Sequence, residues 1–152
     1  MQDTAKARPK PLPRAFFRAF VPVTTRWHDN DVYGHVNNVI YYAFFDTAVN
    51  QLLVEAGVLS PAASNVVGLV VETRCTYFAS IAFPDAIEVG VRVENLGRSS
   101  VRYALGIFKS GDEITSALGE FTHVYVDRAT QAATPIPDNV RAVLTKLTGE
   151  AK

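Results

Sequence analysis

An apolar segment at residues 39–54 directly follows a polar, acid-bearing loop, and this junction constrains the fold more than any other feature. The loop, residues 26–38, reads RWHDNDVYGHVNN. The apolar segment has the length of a helix, with Asn37 as its predicted N-cap and Gly57 placed to end its last turn. Apolar side chains cover most of its circumference, so we expect other elements to wrap around it.

The rest of the chain predicts strands. Residues 66–78, 87–93, 101–107 and 114–126 are rich in strand-forming or alternating residues, and the segments 95–98 and 110–112 are predicted turns. An earlier strand lies within 16–27, where Pro22 predicts a sheet edge or a bulge. A short terminal helix is predicted at 137–147, with Asp138 as its N-cap.

This order of elements predicts an α+β fold. A long buried helix without helical neighbours requires the antiparallel sheet to curl around it. We therefore expect about five antiparallel strands around one central helix. The single domain spans 14–130, between a flexible leader at 1–13 and a C-terminal tail at 131–152 that carries the short helix.

Composition argues against several classes of function. Fifteen basic residues balance fifteen acidic ones, so no overall field favours nucleic acid or a membrane surface. One cysteine, Cys75, and three scattered histidines give no metal-ligand spacing. No run approaches the ~18 apolar residues of a membrane span, and Arg18 interrupts the N-terminal apolar run. We expect a cytoplasmic protein that uses no metal and binds neither nucleic acid nor membrane.

Residues 29–42, DNDVYGHVNNVIYY, together with the helix and hairpins after them, resemble hotdog-fold acyl-CoA thioesterases of the 4-hydroxybenzoyl-CoA thioesterase type. The resemblance covers about 17–126. It implies a sheet wrapped around the helix, sheets joined edge to edge in a homodimer or a dimer of dimers, and active sites at the subunit interface. Coenzyme A is then part of the substrate, and no separate cofactor is required.

The resemblance also implies two catalytic positions. Position by position, Asp31 matches the catalytic carboxylate of the family, and the backbone N–H of Asn38 matches the donor that polarises the thioester carbonyl. Plant acyl-ACP thioesterases share the His-Val-Asn-Asn element but carry Asn where this chain has Tyr33. That difference argues against their acyl-ACP specificity.

These residue types suit thioester hydrolysis. A carboxylate can attack the carbonyl or activate water, and free amides at a helix start stabilise the oxyanion. Both roles stay open for Asp31, which alternatively caps a turn. Asp46, two turns into the helix, is a second candidate base or simply a hydrogen-bonding residue. Asp29 is more typical of a turn residue or a partner of Arg26.

Seven further residues are site candidates. His35 is either a general acid or a residue that holds the turn. Gly34 supplies a permissive backbone, and Asn37 is a cap or a substrate ligand. Tyr33 is a candidate for shaping an acyl pocket. The phosphates of coenzyme A favour a basic turn, and Arg98, Ser99 and Ser100 are candidates for such a turn. The alternative is that these three residues form an ordinary solvated hairpin.

The sequence therefore predicts an acyl-CoA thioesterase. One alternative is a hotdog hydratase or dehydratase that acts on enoyl or hydroxyacyl thioesters, with His35 and Asp31 as its acid–base pair. The other alternative is a protein that binds acyl thioesters without turning them over. A transcriptional regulator that senses acyl thioesters is disfavoured, because the chain has no separate DNA-reading segment.

Overall fold

One antiparallel sheet of five strands and one long helix form the fold. The structure is a computed structural model that describes residues 7–149. The strands are β1 (Ala19–Thr24), β2 (Val66–Tyr77), β3 (Ala86–Leu96), β4 (Ser100–Lys109) and β5 (Ala117–Asp127), and the helices are α1 (Ile40–Glu55) and α2 (Asp138–Lys146). The strand order in the sheet is β1-β3-β4-β5-β2. The predicted α+β architecture is confirmed.

Helix α1 packs one face against the concave side of the sheet. Its buried residues are Tyr41, Phe44, Phe45, Ala48, Val49 and Leu53. A narrow stripe that includes Ala43, Asp46 and Thr47 remains exposed. The expectation of a helix buried on all sides is therefore wrong for a single copy of the chain. Apolar side chains such as Val54, which is 43% exposed, concealed this stripe in the sequence.

The end of α1 follows the prediction. Gly57 has a φ of 76°, the amide of Gly57 donates to the carbonyl of Val54, and the amide of Val58 donates to that of Leu53. This is a Schellman motif, which requires a left-handed residue where glycine stands. It turns the chain from the helix toward β2.

Helix and sheet approach most closely where β5 lacks a side chain. Gly119 lies beneath Phe45, which is fully buried, and a Cβ on Gly119 would overlap the phenyl ring. The ring therefore occupies the space that a side chain on β5 would otherwise fill. This contact sets the distance between α1 and the sheet.

The two edges of the sheet differ. Strand β1 carries Pro22 at one edge, as its missing N–H predicts. Strand β2 forms the other edge, where the register with β5 shifts between Val70 and Glu72. Residues 69–74 of β2 are exposed, and the three residues at either end are half-buried. This edge leaves backbone groups available for a further strand.

Strand β5 begins at Ala117, three residues later than the prediction. Thr115 instead meets the N-terminal segment, since its amide donates to the carbonyl of Leu12 and its hydroxyl accepts from the amide of Leu12. Pro13 bridges Ile114. Part of the expected leader therefore pairs with the domain, and residues 1–6 lie outside the described part of the chain.

The C-terminal helix belongs to the core. Val140 and Leu144 of α2 are buried within the main hydrophobic cluster. Asp138 is the first residue of α2, and Pro137 occupies the N-cap position without a side-chain bond. The prediction of Asp138 as N-cap is therefore wrong, because the preceding proline has a fixed φ that already suits the start of a helix. Residues 150–152 of the predicted tail lie outside the described range.

Two kinds of feature are absent from residues 7–149. None of the helices in this range combines the length and the apolar character that a membrane span requires. No group of three or more His, Cys, Asp or Glu side chains in the same range is arranged to hold a metal ion.

Replacement of Gly119 by Ala tests the contact that sets the helix–sheet distance. We expect Gly119→Ala to lower the free energy of unfolding by about 2 kcal/mol, the usual cost of an overpacked core. The loss should shrink in a Phe45→Leu background, which removes the opposing ring. Urea denaturation of the four proteins gives this coupling energy, and equal losses in both backgrounds would contradict the assigned contact.

Candidate active site

The loop before α1 is held at its base by Asp29 and Asn30. The carboxylate of Asp29 is fully buried and accepts from the amide and the guanidinium of Arg26, at 2.8 and 3.0 Å. Asn30 bridges Val36, whose amide donates to the carbonyl of Ile81. Asp29 is thus the structural partner of Arg26 and has no free oxygen face for chemistry.

The tip of the loop is a tight turn at Asp31. The amide of Asp31 donates to the carbonyl of His35, and the amide of Gly34 donates to the carbonyl of Asp31. Gly34 has a φ of 82°, a conformation that favours glycine. The carboxylate of Asp31 is partly exposed, and its Oδ1 accepts from the amide of Tyr33 at 2.9 Å. In this conformation Asp31 stabilises its own turn through one oxygen, and its other oxygen has no protein donor among residues 7–149.

Hydrogen bonds to Asn37 organise the start of α1. Asn37 donates its amide to the carbonyl of Asp29, and it accepts the amides of Val39 through Oδ1 and of Ile40 through its carbonyl. The prediction of Asn37 as the N-cap is therefore wrong, because Ile40 is the first α-helical residue and Val39 occupies the cap position. Asn37 instead closes the turn that precedes the helix. Among the described residues, the amide of Asn38 has no hydrogen-bond acceptor.

Asn38 lines an open cleft of about 280 Å³. The lining residues are His35, Val36, Asn38, Tyr41, Tyr77, Phe78, Ala79 and Ser80. The hydroxyl of Tyr77 donates to the carbonyl of Asn38 at 2.7 Å and so fixes the peptide at the helix start. The structure thus brings the predicted His35 and Asn38 together. Asp31 and Tyr33 lie in the adjoining turn, and Tyr33 is 83% exposed and away from the cleft lining.

Three groups at or beside the cleft have raised pKa values. Burial raises the pKa of Tyr41 to about 12 and that of the Cys75 thiol to about 11. Burial and the neighbouring Cys75 also raise the pKa of Tyr77 well above its usual value. The tyrosines therefore stay protonated as donors, and Cys75 stays a thiol, which is a weak nucleophile.

The predicted phosphate-binding turn lies at the opposite end of the sheet. Ser100 pairs with Val124, and Val124 pairs with Leu69, whereas the cleft adjoins Tyr77 at the other end of β2. Arg98 is exposed. Its carbonyl accepts from the amide of Ile136 and from Arg141, so the turn is braced against the C-terminal segment.

A second cavity, of about 340 Å³, lies near that end of the sheet. Its lining is mostly apolar and comes from the end of α1, the following loop, the start of β2, the end of β5 and α2. The side chains in the lining that carry polar or charged groups are Asn50, His123, Tyr125 and Arg128. Sequence reasoning missed His123, because a single histidine within an alternating strand gives no distinctive signal.

The imidazole of His123 is buried and neutral. It is 2% exposed, packs against Phe121 and Tyr103, and has no partner for Nε2 within the described residues. Burial lowers the pKa of His123 to about 4, and the negative charge of Asp46 acts in the opposite direction. Asp46 itself is exposed on α1 and accepts from the Asn50 amide.

Comparison with known proteins adds a consistent family signal. The model described as "Thioesterase-like superfamily" matches residues 25–144. The PA5185 protein of Pseudomonas aeruginosa is 49% identical over 94% of this chain and 100% of its own, with a TM-score of 0.91. The comparison with curated proteins returned no match.

Two other solved structures share the fold at lower identity. One is a 1,4-dihydroxy-2-naphthoyl-CoA thioesterase from Synechocystis, with 15% identity and a TM-score of 0.75 over 84% of this chain and 96% of its own. The other is the BH1999 gentisyl-coenzyme A thioesterase, with 24% identity and a TM-score of 0.72 over 83% and 99%.

The buried state of His123 predicts a dependence of stability on pH. The pKa of His123 is about 4 in the folded protein and 6.5 when the imidazole is not buried, as in the unfolded chain. Below pH 6.5 the unfolded chain therefore binds more protons than the folded protein. The free energy of unfolding should therefore fall between pH 6.5 and 4, by up to about 3 kcal/mol from this residue. Denaturation across this pH range should show a smaller fall in the free energy of unfolding for His123→Gln than for the wild type. The control His28→Gln changes an exposed histidine and should show the full fall. Identical pH profiles for the wild type and both variants would refute the assignment.

Proposed function

Because the chain belongs to the thioesterase-like superfamily, we propose that it is an acyl-CoA thioesterase that releases a free acid and coenzyme A. The observation that carries this proposal is that Asn38 lines the cleft at the start of α1 and that its amide has no acceptor among residues 7–149. An amide in that position is preorganised for the oxygen that becomes negative during attack on a thioester. The helix dipole favours the same charge.

The carboxylate of Asp31 supplies the second group that the reaction needs. It either takes a proton from water as the water attacks the carbonyl carbon, or it attacks that carbon itself to give a mixed anhydride that water then hydrolyses. In both routes the C–S bond breaks, and the thiolate leaves and takes up a proton. His35, exposed at the cleft, is our candidate donor of that proton. The Asp31–Tyr33 hydrogen bond orients the carboxylate within the turn.

Coenzyme A as the carrier is supported by the fold shared with two proteins named as aryl-CoA thioesterases. We assign the nucleotide end of the substrate to the turn of Arg98, Ser99 and Ser100. Arg98 is exposed there and free to meet a phosphate. This turn lies far from the cleft of its own chain, so the assignment requires a second copy.

We propose that the second copy pairs along β2. On the face of β2 that meets the buried side chains of β5, the residues are 66, 68 and 70 before the bulge and 73, 75 and 77 after it. This set is symmetric about a point between residues 71 and 72, which is also the centre of the exposed segment 69–74. A two-fold axis at that point pairs two copies antiparallel with their inner faces on one side.

This register brings distant parts of the two chains together. Tyr77 of one copy comes opposite Val66 of the other, so each cleft meets the end of the partner sheet that carries the Arg98 turn. Strand β4 is two strands away from β2. Three strand spacings, roughly 14 Å, then separate the cleft from the partner turn, within reach of an extended coenzyme A.

Asp31→Asn tests the catalytic carboxylate. Asparagine keeps an oxygen that can accept from Tyr33 but cannot take a proton or attack, so we expect kcat to fall by at least about 10²-fold with the stability unchanged. The matched control is Asp46→Asn, an exposed acid on α1 that should keep nearly full activity. Thiol release from a panel of short, long and aromatic acyl-CoAs gives the rates.

The same panel separates the other hypotheses. Loss of activity in Asp46→Asn and its retention in Asp31→Asn would move the base to the helix. Hydration of an enoyl-CoA without free thiol would identify a hydratase instead. Tight binding of acyl-CoA with neither product would identify a binding protein.

Val71→Lys tests the proposed pairing. Val71 lies in the bulge at the centre of the exposed segment and is 60% exposed. A lysine there should raise the dissociation constant of the dimer at least about tenfold, because a charge on a sheet edge opposes strand pairing. Ile114→Lys, at a residue 56% exposed and away from β2, is the control. Sedimentation velocity over a concentration series measures both, and an unchanged dimer in Val71→Lys would overturn the register.

A further inference from the structure

The N-terminal arm, residues 8–13, has no role in the reaction described so far. The chain is neutral overall, yet residues 4–28 carry basic side chains and no acidic one. The basic residues of this stretch are Lys6, Arg8, Lys10, Arg14, Arg18 and Arg26. A local excess of positive charge in a neutral chain favours an anionic ligand at that segment.

Proline restrains every residue of the arm. Pro9, Pro11 and Pro13 have a fixed φ, and the residue before each of them is disfavoured from the helical region. The arm is therefore a stiff, extended segment that rises roughly 3 Å per residue. A stiff arm holds its far end at a defined distance from the point where it is anchored.

The C-terminal end of the arm is anchored to the sheet. Leu12 exchanges two hydrogen bonds with Thr115, each of 3.0 Å. Phe17, which follows the arm, is buried, and its ring occupies space that Cβ atoms on Gly90 and Gly106 would fill. The anchored end is thus tied to β3, to β4 and to the segment before β5.

The other end of the arm reaches the cleft. Arg8 is exposed, and its guanidinium donates to the carbonyl of Tyr77 at 3.3 Å. Tyr77 lines the cleft, and its hydroxyl donates to the carbonyl of Asn38 at 2.7 Å. The length of one tyrosine residue therefore separates Arg8 from the peptide at the start of α1. Among residues 7–149, no other Lys or Arg side chain hydrogen-bonds to a residue of the cleft lining.

This separation suits the diphosphate of coenzyme A. In an acyl-CoA, the pantetheine chain joins the thioester to the diphosphate and is somewhat longer than a tyrosine residue. A guanidinium presents several N–H donors in a planar fork that matches two phosphate oxygens. Arg8 makes one hydrogen bond within the described part of the chain, so its fork has donors left for a phosphate.

We infer that Arg8 binds the diphosphate of an acyl-CoA whose thioester occupies the cleft of the same chain. The N-terminal arm is then part of the substrate site, and its prolines hold the guanidinium in place before the substrate arrives. This inference rests on the proposed thioesterase activity. It adds a contact to the phosphates next to pantetheine, whereas the Arg98 turn of a second copy is assigned to the nucleotide end.

Arg8→Gln tests this contact. Glutamine keeps a donor for the Tyr77 carbonyl but removes the positive charge. We expect KM for the acyl-CoA that the wild type hydrolyses fastest to rise about tenfold, the usual loss for one hydrogen bond to a charged group, with kcat unchanged. KM for the same acyl group on pantetheine, which carries no phosphate, should not change. Arg102→Gln removes the same charge from an exposed position outside the cleft lining and should leave both KM values unchanged.

An acyl-4′-phosphopantetheine locates the phosphate that Arg8 binds. This substrate keeps the phosphate next to pantetheine and lacks the adenosine, so Arg8→Gln should raise its KM as well. A rise confined to the full acyl-CoA would move the contact to the nucleotide end and overturn the inference. Equal changes in KM for acyl-CoA and acyl-pantetheine would also overturn it.

Direct binding separates this inference from the proposed activity. In calorimetric titrations, Arg8→Gln should bind free coenzyme A about tenfold more weakly than the wild type, and pantetheine equally well. A wild-type protein that shows this difference in binding but cleaves no acyl-CoA would refute the proposed function and support the Arg8 contact. Equal affinity of the two proteins for coenzyme A would refute the contact, whatever their hydrolytic activity.

Discussion

The amide of Asn38 has no acceptor among residues 7–149, and hydrogen bonds hold the peptide groups on both sides of it. Asn37 accepts the two amides that follow Asn38 and donates its own to Asp29. The carbonyl of Asp29 accepts this amide, and the buried carboxylate of the same residue is paired with the guanidinium of Arg26. Tyr77, from the far end of β2, then fixes the carbonyl of Asn38. The proposed oxyanion donor therefore depends on the whole loop and on one strand. The helix that begins beside it packs on the sheet where Phe45 covers Gly119.

Much of the fold was predictable from local patterns. Alternation identified β3 and β4, Pro22 placed β1 at an edge, and Gly57 marked the end of α1. The errors came where local signals compete with tertiary contacts. Thr115 reads as part of a strand but pairs with Leu12, and Asp138 reads as a cap but follows a proline. The exposed stripe of α1 was hidden, because alanine and valine occur both in a core and on an exposed surface, and the sequence alone does not distinguish the two.

The candidate site was predictable only in part, for a similar reason. His35, Asn37 and Asn38 are neighbours in sequence, so one motif places them together. The turn at Arg98 and the cavity at His123 are fixed by strand register, which no short motif encodes. His123 owes its environment to Gly68, Tyr103 and Phe121. These residues come from three different strands, and their convergence requires the assembled sheet.

In the proposed dimer, the bulge in β2 would determine which chains can pair with one another. Its extra residue shifts the alternation of the strand by one step, so the two halves match each other only when both copies carry the shift. A paralogue whose corresponding strand lacks the extra residue would present core-facing side chains to the outer surface over half of a mixed seam. In a cell that contains several proteins of this architecture, one inserted residue would thus favour pairing of identical subunits over pairing of different ones.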